Sequence, residues 1–163
     1  MNFKKTTYIL VILLSIFSCR NENLIFIDFK DLNGSWDRSN ELDFSFESDN
    51  SILDFSLALR TDSTYPFSNI FLISSIQNNN YIISDTLEYF FENNESKWYV
   101  IKPSGIKNNK ILLSKDLKID KGNVIVKLKH SIRYLDSIVP QTKLDGILDV
   151  ALIVEKSLLD EKI

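Results

Sequence analysis

Residues 42–60 alternate between apolar and polar with a period of two. Leu42, Phe44 and Phe46 share one parity, with Asp43, Ser45 and Glu47 on the other. After the polar stretch 48–51, Leu53, Phe55, Leu57 and Leu59 repeat the pattern against Asp54, Ser56 and Arg60. Successive side chains of a strand point to opposite faces, so both segments read as strands with one buried face. The short polar link between them predicts an antiparallel hairpin. Residues 24–29, 81–91, 97–101, 110–113, 124–130 and 148–155 are further strand candidates, with Leu87, Tyr89 and Phe91 on one face. Residues 69–76 are apolar on both parities, which predicts a strand covered on both sides. Asn33-Gly34 and Asn78-Asn79-Asn80 supply turns. Only residues 131–141 and 157–163 have room for helical turns. About eight strands without a sustained 3.6-residue period predict an all-β fold. The expected form is an antiparallel, jelly-roll-like β-sandwich over residues 24–156, with a closed barrel as the alternative.

The segment before residue 24 follows a different rule. Lys4 and Lys5 precede an apolar run from Tyr8 to Ile16, and Phe17-Ser18-Cys19 follows. A spanning helix needs about 20 apolar residues, so this run reads as a secretory signal peptide over residues 1–18. Ile16-Phe17-Ser18-Cys19 resembles a bacterial lipobox, with an aliphatic residue at −3, a small one at −1 and then the cysteine. An ordinary signal peptide with a chance cysteine is the alternative. In the lipobox reading the chain is cut after Ser18 and Cys19 carries a diacylglyceryl group. Residues 19–23 then form a short tether, and 157–163 a C-terminal tail. That thioether together with an N-acyl chain exceeds the two signals that stable membrane attachment requires.

Composition sharpens this picture. Only Ala58 and Ala151 represent alanine, while Phe numbers 11 and Tyr 6, a balance that favours strands over helices. Cys19 is the single cysteine, which excludes an intramolecular disulfide framework and a cysteine-based zinc cluster. Loss of Lys4 and Lys5 on processing takes the formal charge from −3 to −5. A net negative chain without a basic stripe argues against nucleic acid, whose phosphates call for clustered Lys and Arg.

Candidate chemistry is sparse. His130 is the single imidazole and continues the parity of Val124, Val126 and Leu128. It should therefore point inward near a strand end, as a hydrogen-bonded core or rim residue, with a ligand or switch role as the alternative. One His and no second Cys leave no expected metal site, and no cofactor is implied. No Gly-x-Ser-x-Gly elbow or Gly-rich phosphate loop occurs, so catalysis has little support beyond that His. Two aromatic groups are less ordinary, Tyr65-Pro66-Phe67-Ser68-Asn69 and Trp98-Tyr99. They suit either ring packing at the sandwich rim or a platform for a sugar or a partner protein.

These segments also carry a resemblance. A short lipoprotein signal ends at Cys19, and an Asn-Gly turn precedes Trp36. Tyr65-Pro66-Phe67-Ser68-Asn69-Ile70, Asp85-Thr86-Leu87-Glu88-Tyr89 and then Trp98 follow in order. His130-Ser131-Ile132-Arg133 and Leu144-Asp145-Gly146-Ile147-Leu148-Asp149-Val150-Ala151-Leu152 complete the set. Together they resemble the gliding-motility lipoprotein GldH family of the Bacteroidetes over nearly the whole mature chain. Phe67 replaces the family's second tyrosine, and Ala151 replaces a glycine. The resemblance implies a non-enzymatic lipoprotein accessory to the gliding and type IX secretion machinery. Its expected partners are the membrane, through Cys19, and other envelope proteins. The interaction candidates are Trp36, Tyr65, Pro66, Phe67, Asn69, Trp98, His130 and Arg133. A glycan-binding envelope lipoprotein is the alternative. Arg20-Asn21-Glu22-Asn23 carries a single acid, which favours the periplasmic face of the outer membrane.

Overall fold

The computed structural model describes residues 23–79, 81–91, 105–131 and 142–160. Ten strands run through them: β1 (Leu24–Asp31), β2 (Ser35–Asp37), β3 (Leu42–Ser48), β4 (Ser51–Thr61), β5 (Asn69–Asn78), β6 (Tyr81–Phe90), β7 (Lys107–Ile119), β8 (Gly122–His130), β9 (Lys143–Asp145) and β10 (Ile147–Lys156). They form a sheet of order β1-β10-β4-β7, a second of order β3-β8-β5-β6, and the two-stranded ribbon β2-β9. Every pairing is antiparallel. Counting only the eight long strands, the orders are 1-8-3-6 and 2-7-4-5. That is the jelly-roll arrangement, so the sandwich is the outcome and the barrel is not.

Alternation places the core as expected. Leu42, Phe44 and Phe46 on β3 face Leu53, Phe55, Leu57 and Leu59 on β4, all buried. Val124, Val126 and Leu128 on β8 and Val150, Leu152 and Val154 on β10 complete the middle of the two layers. Each such side chain contributes about 1.5–3 kcal/mol on leaving water, enough in aggregate to hold a disulfide-free domain.

The pairing of residues 42–48 with 51–61 differs from expectation. β3 pairs with β8 and β4 with β10 and β7, so the two strands lie in opposite sheets and do not form a hairpin. Their apolar faces meet across the sandwich, where the Phe46 and Phe55 rings lie 6.2 Å apart. Two strands with inward faces look alike in sequence whether they pair side by side or face to face. The left-handed Asn50, at φ 67°, turns the chain from one sheet to the other.

β5 is likewise covered less than its two apolar parities predict. Ile70, Leu72 and Ile76 are buried inward, whereas Phe71 is half-buried and Ile73 is 39% exposed on the outer face. The strand is central in its sheet and touched along both edges, yet among the described residues no second layer closes over its outer side. Residues 157–160 form a turn. The strand candidate at 97–101 and the helical candidate beyond Ser131 lie outside the described residues. No helix among the described residues is long and apolar enough to cross a membrane.

The sandwich has two unlike ends. Links 49–50, 79–80 and 120–121 close one end, where Asn23 and Lys156 also lie side by side. The opposite end carries the link 62–68, the β2-β9 ribbon and the described residues Phe91 and Ser131 that follow β6 and β8. The first is called the near end, because the chain enters the domain there at Asn23. The second is the far end.

Candidate functional site

Five separate stretches of sequence meet at the far end. The β2-β9 ribbon sets Trp36 opposite Leu144, and both side chains are fully buried, so the ribbon plugs the sandwich. Trp36 donates its indole N–H to the Asn40 carbonyl at 2.8 Å, which satisfies the one polar atom the ring brings inside. Behind it stands His130, the last residue of β8, 1% exposed and edge-on to the indole at 5.2 Å between ring centres.

His130 sits where its parity predicts. Its Nε2 lies 3.1 Å from the Trp36 carbonyl oxygen. A carbonyl only accepts, so Nε2 carries the proton and Nδ1 is the bare nitrogen. Among the described residues Nδ1 is buried without a hydrogen-bond partner. Burial pushes the imidazole below its ordinary value and outweighs the raising effect of the Trp36 carbonyl. His130 is therefore a neutral brace between β8 and the ribbon.

The loop that carries Tyr65 is locked from several directions. Asp62 accepts from the Thr64 amide at 2.8 Å and hydroxyl at 2.6 Å, and these bonds lower its carboxyl. The Asp62 amide donates to the Gly146 carbonyl at 2.9 Å. Tyr65 is half-buried and donates its hydroxyl to the Asn69 carbonyl at 2.8 Å, and desolvation pushes its phenol well above the ordinary range. Asn69 in turn donates to Glu88 on β6 at 2.6 Å. The rings of Phe67, Tyr65, Phe91 and Tyr89 meet edge to face in series, with centres 5.8, 5.1 and 5.5 Å apart. This is packing at the rim, with Pro66 exposed above it.

Gly146 explains why that loop and the last strand belong together. It sits at φ +82°, and a Cβ there would lie 2.6 Å from Tyr65 Cα, 2.8 Å from Thr64 C and closer still to Tyr65 N. Only glycine lets the two backbones approach this closely. Its amide also donates to the Gly34 carbonyl at 2.8 Å, which ties the first turn to the same point. Ala151, where the family pattern has glycine, is fully buried between Phe29 and Ala58 in the sheet register, so a methyl fits there.

Beside this knot the outer face of the β1-β10-β4-β7 sheet opens into a cleft of about 480 Å³, lined by Phe29, Asp31, Asn33, Gly34, Arg60, Leu148 and Asp149. Phe29 is 59% exposed, and Arg60 forms an ion pair with the largely buried Asp149. The cleft thus offers an apolar ring beside a guanidinium and carboxylates. Sequence reading missed Phe29, Arg60 and Asp149 as a group, because they come from three strands and share no spacing. The first strand gave no signal either, because Ile25 and Ile27 share the exposed parity of Phe29 while Leu24 and Phe26 take the other. Among the described residues no three His, Cys, Asp or Glu side chains come together as a metal site. Cys19, Trp98 and Arg133 lie outside the described residues.

The segments joined at this end are those that carry the resemblance, and comparison with known proteins agrees. The family described as GldH lipoprotein matches residues 25–154. The chain belongs to the GldH lipoprotein family. It is similar to the gliding motility lipoprotein GldH of Flavobacterium johnsoniae, 28% identical over 159 residues, covering 96% of this chain and 99% of that protein. It is also similar to a gliding motility lipoprotein GldH homolog of Christiangramia forsetii, 25% identical over 156 residues, covering 93% of this chain and 96% of that one. No solved structure matches. The GldH match begins at residue 25, within β1, and ends in β10, so it spans the whole sandwich and both of its ends.

Proposed function

We propose that the chain is a non-enzymatic, membrane-anchored accessory component of the bacterial gliding motility and type IX secretion machinery, acting by protein–protein contact. A diacylglyceryl group on Cys19 holds it in the cell envelope, at the outer membrane and facing the periplasm. The relatives named gliding motility lipoprotein GldH support the setting. One structural observation carries the mode of action: the motif segments from five parts of the chain converge at the end opposite the tether. A lipid-held domain presents that end to other envelope proteins. There the exposed Phe29 ring and the Arg60–Asp149 pair give an apolar anchor with a charged rim, the make-up of a protein contact.

Deletion of the gene in a gliding host, followed by complementation, tests this reading. Loss of colony spreading restored by the wild type, but not by Phe29→Asp with Arg60→Glu, is the expected result. Normal spreading and secretion in the deletion strain would contradict it.

A glycan is the second reading, and the same cleft favours it. An exposed ring flanked by Asp31, Asn33 and Arg60 suits a sugar's apolar face and its hydroxyls. Titration against a glycan panel, with Phe29→Ala as control, separates the two: saturable binding lost in the variant supports the glycan.

A further inference from the structure

The near end displays a feature that the far-end contact does not use. After β10 the chain makes a turn at residues 157–160 in which the polar groups face inward and the leucines face out. Ser157 is 1% exposed, donates its amide to the Ile52 carbonyl at 2.9 Å and donates its hydroxyl to Asp116. The Leu159 amide donates to the Ser157 hydroxyl at 3.2 Å, and the Asp160 amide to the Ser157 carbonyl at 3.0 Å. The Asp160 carboxylate accepts from the Ile52 amide at 3.0 Å. Bonds to β4 and β7 thus pin the turn, yet Leu158 is 70% and Leu159 47% exposed. Ile25, on the outer side of β1, is exposed at the same end. A frayed tail would not fix two leucines outward in this way.

Position identifies what covers them. The Lys156 amide donates to the Asn23 carbonyl at 2.8 Å, so the tether leaves the domain directly beside the turn. From Asn23 back to Cys19 the chain can span about 14 Å at full extension, at ~3.5 Å per residue. A domain held by acyl chains on Cys19 therefore carries Leu158 and Leu159 within reach of the headgroup and acyl boundary, where apolar side chains settle about 5–10 Å deep.

We propose that Leu158, Leu159 and Ile25 form a membrane footprint that seats the near end in the phospholipid surface and fixes the direction in which the far end points. The occupant is the bilayer into which Cys19 is anchored, and the proposal rests on that anchor. The footprint turns a one-point anchor into a two-point attachment: lipid chains at Cys19 and leucines at the turn. The far end then stands away from the membrane instead of lying on it.

The test uses the lipidated full-length protein in vesicles of phosphatidylethanolamine and phosphatidylglycerol. A bimane label is placed at Leu158→Cys or, in a second sample, at Ser39→Cys on the far end. Intact mass and flotation report the anchor, while quenching by doxyl-labelled lipid against aqueous iodide reports the footprint. The expected result is a lipid-to-iodide quenching ratio severalfold higher at position 158 than at position 39. Lipid mass and flotation with equal ratios at the two positions would overturn the footprint alone. A label at 158 shielded from both quenchers would overturn it in favour of a protein or a second copy of this chain as the cover. Absence of lipid mass and of flotation would overturn the anchor and the footprint with it.

Discussion

The two ends of the sandwich are built from different parts. At the near end, two-residue links join long strands, and polar side chains bond neighbouring backbone: Asn78 donates to the Asn123 carbonyl, Tyr81 to the Lys118 carbonyl, and Asp160 accepts from the Ile52 amide. At the far end, buried rings and one close backbone approach join the segments: Trp36 enters the core, His130 bonds the Trp36 carbonyl, and Gly146 lies against the Tyr65 backbone. The near-end turns rest on small or amide residues at left-handed positions, Asn50 and Asn79. The far end depends on individual residues. On the proposed function a partner-facing far end accounts for the motifs gathered there, whereas the proposed seat on lipid needs only apolar side chains held outward.

Glycines give the sharpest contrast. Gly146→Ala forces a methyl into the backbone of Thr64 and Tyr65 at a left-handed position, and should destabilise by about 3–5 kcal/mol in urea unfolding. Gly122 at the near end has φ +135°, but its added methyl would meet only the movable Asn79 side chain, so Gly122→Ala should cost about 1–3 kcal/mol. Equal losses would mean that the far-end backbone gives way more easily than its close approach suggests.

Acidification separates the ends through His130. Its folded form is held neutral by burial, below its ordinary value of 6.5. Unfolding releases it to bind a proton, so stability is complete above about 6.5 and falls as pH drops below that toward the folded value. The carboxylates of Asp37, Asp62 and Glu41, lowered by hydrogen bonds, lose their contribution only at more acid pH. Thermal midpoints should therefore decline between pH 6.5 and 5 in the wild type and stay flatter in His130→Gln, whose amide can still donate to the Trp36 carbonyl. An unchanged slope in that variant would remove His130 from the account.

Charge at the cleft comes next. Arg60→Ala leaves the largely buried Asp149 without its guanidinium and should cost about 1 kcal/mol, since Arg60 itself is half-exposed. The smallest effect belongs to the near end: Leu158→Ser should change stability by less than about 0.5 kcal/mol, since that side chain packs little.

Sequence and structure agree unevenly, for physical reasons. Period-two alternation marks which residues face inward, so Leu42 through Phe46 and Leu53 through Leu59 were legible, as was His130 at the end of its strand. Alternation carries no information on partners, and the hairpin expected between residues 42–48 and 51–61 proved to be a crossing between sheets. The ribbon strands β2 and β9 have three residues each, too short for any period to register. Gly146 and the Arg60–Asp149 pair act only through tertiary contact, so no local pattern announces them. Phe29 was not readable as outward-facing, since the first strand is apolar on both parities.

The central claim is that the far end meets protein and the near end meets lipid. Photo-cross-linking in living cells tests it most directly, with benzoylphenylalanine placed at Phe29 in one strain and at Leu158 in another. The account expects discrete protein adducts from position 29 and lipid adducts from position 158. Protein adducts from position 158 with none from position 29 would contradict it.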